Sequence, residues 1–471
     1  MMDAPVHDGQ GYRSAVAEAL AGGWRFGGLH ASADGGRQLV RALLVGEGGQ
    51  VRLETAAAEH ATVPTIVDLA PAAGWDEREA HDLCGVGFDG HEPLRPLADH
   101  AAAFGRWTTP VRGPDPYQLA VGPIHAGVIE SGHFRFHVVG DRILHLDARL
   151  FYKHRGLERA AAGHTLEEGL AYATRACAAC WVTNAVAYAH ACEELLGLAA
   201  TPELARARTI LLELERVWNS LNDIGAVCAG VGLAAGNNRF AALTEDARRL
   251  NARLTGHRFL FGSVAVGGSP LDLDAAAVAA ARADLARIRE DSARAWRELL
   301  FNASFMDRMP DIGVVDSEAA LALGVVGPAA RASGIRADVR SASPRLAYEG
   351  FEPAALRRAA GDVQARLEQK ALELLPCLDV LDRLLDGPVH PAAAAEGGGA
   401  AAAIGVGRVE SPRGATSCIV ERDGGRIARL RLRTGSYANW PAVAFAAADN
   451  LLPDFPLINK SFELCYACAD R

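Results

Sequence analysis

From Thr165 to about Gly256 apolar residues recur every three or four positions, the spacing of an amphipathic helix. Leu166, Gly169, Leu170, Ala173 and Ala176 mark the first such stretch. Thr201-Pro202 supplies an N-cap and a first-turn proline for a second one. Its continuation, Ala207 to Gly225, carries Ile210, Leu211, Leu214, Val217, Trp218 and Leu221 on one face. Further helices are predicted over Ala275–Phe301, Asp316–Leu323 and Pro353–Leu385. Strand-like runs occupy Gln38–Leu44, Val51–Glu54 and Thr65–Leu69. They resume on either side of a Gly140-Asp141 turn, between Phe134 and Asp147, and around Asp423-Gly424-Gly425, between Ser417 and Thr434.

The pattern predicts an α+β chain. Residues 1–105 form a small α/β module, 106–118 a Pro/Gly-rich linker, and 119–471 a mainly helical domain with a small β-sheet. Within that domain 387–407 is so rich in Ala and Gly that it reads as a flexible insertion.

A formal charge of −9 over 471 residues, with no Lys/Arg block, excludes a nucleic-acid surface. The first residues lack the basic and apolar regions of a signal peptide, and no apolar run of the ~20 residues that span a bilayer occurs. The expectation is a cytoplasmic protein that can still dock on a membrane complex. Gly85, Gly87 and Gly90 have dinucleotide-motif spacing, but a helix-like stretch precedes them, so they read as a turn.

Cysteine changes the picture most. Of nine cysteines, Cys84, Cys192, Cys228, Cys377 and Cys418 are isolated and read as small buried hydrophobes. The other four form two CxxC pairs at remote ends of one domain, Cys177/Cys180 and Cys465/Cys468. Four converging thiolates select a soft or borderline metal. On the cysteines alone a zinc site is one such reading. The last residues are too apolar for a solvated tail, so a terminal strand is expected to bury Cys465, Cys468 and Arg471 beside the first pair.

The residues around the pairs carry a resemblance. Glu130-Ser-Gly-His133, Phe151 to Glu158, Arg175 to Cys180, Glu410-Ser-Pro-Arg-Gly414 and Leu464 to Arg471 follow one another in that order. This set resembles the large subunit of nickel–iron hydrogenases of the energy-converting, formate hydrogenlyase-like group, homologous to the 49-kDa subunit of complex I. It covers roughly Gly122 to Arg471. Trp75 to Arg95 is similar to the signature of the 30-kDa subunit of complex I, which formate hydrogenlyase large subunits carry fused ahead of the hydrogenase part.

The resemblance implies that Cys177 and Cys465 are terminal nickel ligands. It implies that Cys180 and Cys468 bridge to an iron bearing carbonyl and cyanide ligands. Glu130 matches a proton-relay glutamate, Glu158 a magnesium ligand, and Arg413, next to Pro412, an arginine packed over the cyanides. Read alone, Glu130 is an exposed acid at a turn, Glu158 half of a helical pair with Arg155, and Arg413 a surface arginine. No iron–sulfur cluster is expected in this chain. Electrons would leave through a small iron–sulfur partner, like the 20-kDa subunit of complex I. Membrane-arm subunits would hold the assembly on the inner face of the cytoplasmic membrane.

Arg471 stands where precursors of the family are commonly cleaved, and the initiating Met1 favours an encoded terminus. The chain departs from the family at Ala178-Ala179, at Asn184 in place of a histidine, around Trp218–Ser220, and at Glu463-Leu464 in place of Asp-Pro. These departures keep a second reading open, a complex I-like subunit that serves electron transfer or coupling without hydrogenase chemistry.

Overall fold

The computed structural model describes residues 6–34, 37–58, 60–113, 115–124, 130–397 and 402–471. Its first unit is a four-stranded sheet built from β1 (Val6–His7), β2 (Arg25–Asp34), β3 (Arg37–Val45) and β4 (Val51–Ala57). The spatial order is β1-β4-β3-β2, with β1 parallel to β4 and the other pairings antiparallel. Helix α1 (Gly9–Ala21) and helix α2 (Gly74–Cys84) belong to this unit, which has its own core running from Tyr12 to Phe88.

Thr65–Leu69, expected as a strand, is not one: only Thr62–Pro64 pairs, with Gly87–Asp89. Glu77 accepts hydrogen bonds from the Thr65 hydroxyl at 2.7 Å and from the Ile66 amide at 2.8 Å, which takes the Ile66 amide out of any ladder. Gly85 sits at φ 72° as the left-handed C-cap of α2, so the first glycine of the Gly85/Gly87/Gly90 spacing ends a helix.

The larger unit is mostly helical. Helices α3 (Leu166–Thr174), α4 (Trp181–Leu196), α5 (Pro202–Val231), α6 (Ala234–Thr255) and α7 (Ala275–Leu300) follow the expected periodicity. Thr165 closes a capping box on α3, and Thr201 caps α5 ahead of Pro202. Ile210, Leu211, Leu214, Val217 and Leu221 of α5 are all buried. Each such side chain contributes about 1.5–3 kcal/mol when removed from water, so packing holds this central helix. Helix α8 runs from Val363 to Leu384, starting later than expected because Asp362 accepts from the Ala365 amide as its N-cap.

A three-stranded antiparallel sheet, β5 (Ile404–Ser411), β6 (Gly414–Asp423) and β7 (Arg426–Arg433), lies against α4. Here the sequence expectation of a flexible 387–407 insertion fails. Ala392–Ala393 pairs with Gly268–Ser269, Ala395–Glu396 pairs with Leu198–Ala199, and Ile404–Gly407 opens β5. Gly405 and Gly407 are required there, because a Cβ on either would collide with the backbone carbonyl of Ala191 or Ala187 on α4. Residues 398–401 lie outside the described residues.

The C-terminal segment is helical and not the expected strand: α9 (Gly435–Ala447), α10 (Phe455–Phe462) and α11 (Tyr466–Asp470) bring the chain back to the start of α4. The two units are joined through a small apolar cluster of Leu43, Leu53, Ile404 and Ile419 and through ion pairs. Glu421 receives His30 at 2.7 Å and Arg41 at 3.0 Å, and Asp76 receives Arg431 at 2.9 Å. Among the described residues no helix is long and apolar enough to cross a membrane.

Candidate metal centre

Cys177 lies in the turn before α4, and Cys180 is the residue that opens that helix. Cys465 opens α11 in the same way, and Cys468 is one turn into it. The four sulfurs all lie within 4.8 Å of one another, a spread that metal–thiolate bonds of ~2.3 Å can bridge. They are the one such group of metal-binding side chains among the described residues. Hydrogen bonds from Cys177, Cys180 and Cys468 hold the Cys465 thiol well below its ordinary range. The same sharing raises Cys180 and Cys468, so the cluster already favours a negative sulfur.

Backbone clamps fix both segments. Arg155 donates to the carbonyls of Arg175 and Ala176 at 2.8 and 3.0 Å. The Asn219 amide donates to the Ala179 carbonyl at 2.9 Å. The Ser436 hydroxyl accepts from the Cys465 amide at 3.1 Å, and the Thr434 hydroxyl donates to the Cys468 carbonyl at 3.1 Å.

Glu130 accepts from the Ala467 amide at 2.8 Å, between the two cysteines of the second pair. Burial pushes its carboxyl above the usual range, and the charge at Cys465 works in the same direction. Arg413 and Pro412 form the tip of the β5–β6 hairpin, closed by a Ser411 hydroxyl bond to the Gly414 carbonyl at 2.7 Å. The Arg413 side chain is buried. It donates to Asp223 at 2.9 Å and to the Glu463 carbonyl, while its Nη1 has no hydrogen-bond partner. Burial works against the Arg413 charge, yet Asp223 and the Cys465 and Cys180 sulfurs raise it overall.

Several residues escaped the sequence reading. Lys370 reaches Asp223 at 3.0 Å, giving that carboxylate two buried cations. Beside it Glu463 is pushed up to about 7, first by burial and then by the Asp223 charge. Glu215 accepts from the Val182 amide at 2.6 Å, the Thr183 amide at 3.1 Å and the Thr183 hydroxyl at 2.6 Å, so it caps the helix that begins at Cys180. Glu215, Asn219 and Asp223 stand four residues apart on α5, a polar stripe along an otherwise apolar buried helix. That spacing was the available signal.

Burial raises the Glu215 carboxyl from 4.5 to about 7 against the opposing hydrogen bonds of Thr183 and Val182. The folded chain therefore keeps a proton that the unfolded chain has released. The stability this proton confers is present below the unfolded value and lost as pH rises to the folded one. The loss amounts to about 3 kcal/mol between about pH 4.5 and 7. Glu215→Gln should flatten this slope, which denaturant unfolding of wild type and variant at pH 5 and pH 7.5 will test.

Glu158 is elsewhere. It accepts from the Leu432 amide at 2.9 Å and faces Arg429 at 3.5 Å, Arg431 at 3.6 Å and Arg471 at 3.5 Å. The helical pair with Arg155 does not form, because Arg155 is spent on the carbonyls before Cys177. Three guanidiniums around one carboxylate are a poor setting for a hard dication. Asn184 is fully buried one turn after Cys180, and neither of its amide atoms has a partner. The isolated Cys192, Cys228, Cys377 and Cys418 are buried and Cys84 is partly so.

Comparison with known proteins bears on this geometry. Residues 27–113 match the family model of the respiratory-chain NADH dehydrogenase 30 Kd subunit. Residues 240–397 and 389–471 match that of its 49 Kd subunit. The chain is 30% identical over 437 residues to formate hydrogenlyase subunit 5 of Escherichia coli, covering 87% of this chain and 77% of that protein. It is 28% identical to hydrogenase-4 component G of the same organism, covering 88% and 77%. Among solved structures, a chain of the membrane-bound sulfane sulfur reductase, an archaeal respiratory membrane complex, superposes with a TM-score of 0.69. The identity is 26%, and 76% of this chain and 99% of that one are covered.

Proposed function

Since the chain belongs to the energy-converting hydrogenase large subunits, in which 30-kDa-like and 49-kDa-like parts of complex I are fused, we propose that its four thiols hold a nickel–iron centre catalysing H2 ⇌ 2H⁺ + 2e⁻. The observation that carries this reading is the convergence of Cys177, Cys180, Cys465 and Cys468 within 4.8 Å. The donor set fits the group: sulfur suits both metals, and Arg413 brings a buried N–H without a partner to receive acceptor ligands on iron.

When bound, the centre supplies the redox-active Lewis acid at which hydrogen is split. The chain supplies everything around it. Cys177, Cys180, Cys465 and Cys468 would hold the two metals, with Cys177 and Cys465 serving nickel and Cys180 and Cys468 shared with iron. Glu130 would take the proton from a cysteine sulfur: burial raises its carboxyl, and the Ala467 amide holds it beside the second cysteine pair. Arg413, steadied by Asp223 and by the Glu463 carbonyl, would donate its free N–H to the carbonyl and cyanide ligands, with Pro412 in the turn that presents it. Glu215 and Asn219 hold the first cysteine pair in register.

Electrons pass to a small iron–sulfur partner subunit, since outside the site the described cysteines are scattered. The respiratory membrane complex whose chain superposes supports placement in a multisubunit membrane assembly; in this reading the subunit sits on the inner face, with 1–105 as the 30-kDa-like module and 119–471 as the catalytic domain. An infrared spectrum of the purified complex tests the reading. Carbonyl and cyanide bands, which have no source in protein side chains, are expected between the amide and C–H regions. Purified complex that lacks these bands and carries neither nickel nor iron would favour the complex I-like alternative.

A further inference from the structure

Beyond the cysteines, the most unusual chemistry lies where the two units meet. Three buried guanidiniums, those of Arg431, Arg433 and Arg471, share Asp76, Glu79 and Glu158, with Arg429 at the edge. Arg471 follows Cys468 by three residues, on the end of the helix that carries the second cysteine pair. Its Nη2 donates to Glu79 at 2.6 Å, its Nη1 donates to the Leu432 carbonyl at 2.8 Å, and Nη1 stands 3.5 Å from Glu158. Its guanidinium also lies 4.6 Å over the Tyr437 ring. Every polar edge that a metal ion would use is thus already taken by nitrogen.

We infer that the Arg471 guanidinium, held between Glu79 and Glu158, replaces the divalent cation that the resemblance implies at Glu158. This subunit then binds no magnesium there. The inference rests on the reading of the four-thiol site as the nickel–iron centre.

Magnesium demands a near-octahedral oxygen shell at ~2.1 Å. Glu158 offers it one oxygen bonded to the Leu432 amide and crowded by Arg431 and Arg471, and a second facing Arg429. A dication there would meet the three guanidiniums of Arg429, Arg431 and Arg471. A planar, permanently charged fork needs no such shell and binds two carboxylates and a carbonyl at once. The structure adds a feature that a metal ion would not require. Glu79 comes from α2, so the fused N-terminal unit provides the counter-charge that anchors the helix bearing Cys465 and Cys468. Two further contacts lock the same helix, with the Asp470 carboxylate accepting from the Phe151 and Lys153 amides at 2.7 and 2.8 Å. Arg471 and Glu79 are therefore positioning residues, acting on the centre through Cys468.

The test is elemental analysis and infrared spectroscopy of the intact complex after dialysis against EDTA. Wild type is expected to retain nickel and iron, to carry magnesium far below stoichiometric, and to unfold at the same temperature with or without magnesium chloride. Arg471→Lys, which keeps the charge, should retain most of its nickel and its infrared bands. Arg471→Gln should lose nickel several-fold, and Glu79→Gln, a change in the other unit, should lower nickel in the same direction. Stoichiometric EDTA-resistant magnesium in wild type, or full nickel in Arg471→Gln, overturns the inference. Should the glutamine variants fail to fold, the wild-type magnesium content still decides it. Wild-type protein lacking nickel and iron would instead sink the reading of the centre, while its response to magnesium would still report on Arg471.

Discussion

Serine in place of any one of Cys177, Cys180, Cys465 or Cys468 should abolish nickel and iron loading, whereas Cys192→Ser and Cys377→Ser should leave it intact. The reason is chemical and geometric together. A serine hydroxyl does not ionise near neutral pH and is a hard donor, so each change removes a soft anionic ligand from a set of four whose sulfurs lie within 4.8 Å. Structural thiolate sites bind metal with about 10–16 kcal/mol at pH 7, so losing one of four ligands costs several kcal/mol and at least a hundredfold in affinity. Cys192 is enclosed in the middle of α4, and Cys377 donates to the Glu373 carbonyl at 2.9 Å, outside the cluster. Metal content of the purified variants is the measurement. Full loading in any one of the four serine variants would mean that the site is misassigned.

The second large effect concerns the proton. Glu130→Gln should keep nickel and iron while slowing H2/D⁺ exchange by roughly 100- to 10,000-fold, the usual worth of a positioned acid–base group. Glutamine retains a carbonyl oxygen for the Ala467 amide, so the backbone between Cys465 and Cys468 keeps its hydrogen bond. It cannot carry the proton. Burial raises the Glu130 carboxyl, which favours its protonated form. Exchange measured by mass spectrometry on metal-replete variant separates the two roles, and near-normal exchange would remove Glu130 from the relay.

What the sequence determined by itself was local or motif-borne. The Thr201 cap ahead of Pro202, the turns at Gly140-Asp141 and Asp423-Gly424-Gly425, and the apolar spacing of α5 depend on neighbours within a few residues. They appear in the fold where that spacing put them. The two CxxC pairs were equally legible, because two thiols in one short segment bring packing no particular benefit.

What the tertiary structure decided was everything set by partners hundreds of residues away. Ile404–Gly407 reads as part of a flexible insertion until α4 is laid against it. Only then does the absence of side chains at Gly405 and Gly407 become the condition for close packing. Thr65–Leu69 has strand composition, but Glu77 claims the Ile66 amide. The terminal segment is apolar enough for strand or helix, and Thr434, Ser436 and Glu130, brought in from elsewhere, hold it as a helix start.

Glu158 shows the difference most plainly. Its neighbours in sequence suggest a helical pair with Arg155, and its motif suggests a metal ligand. Its actual surroundings are guanidiniums more than 270 residues further along the chain, drawn in by Glu79 and Asp76 of the N-terminal unit. Electrostatic environment is a property of distance in space, and a sequence read along one dimension carries spacing but not that distance.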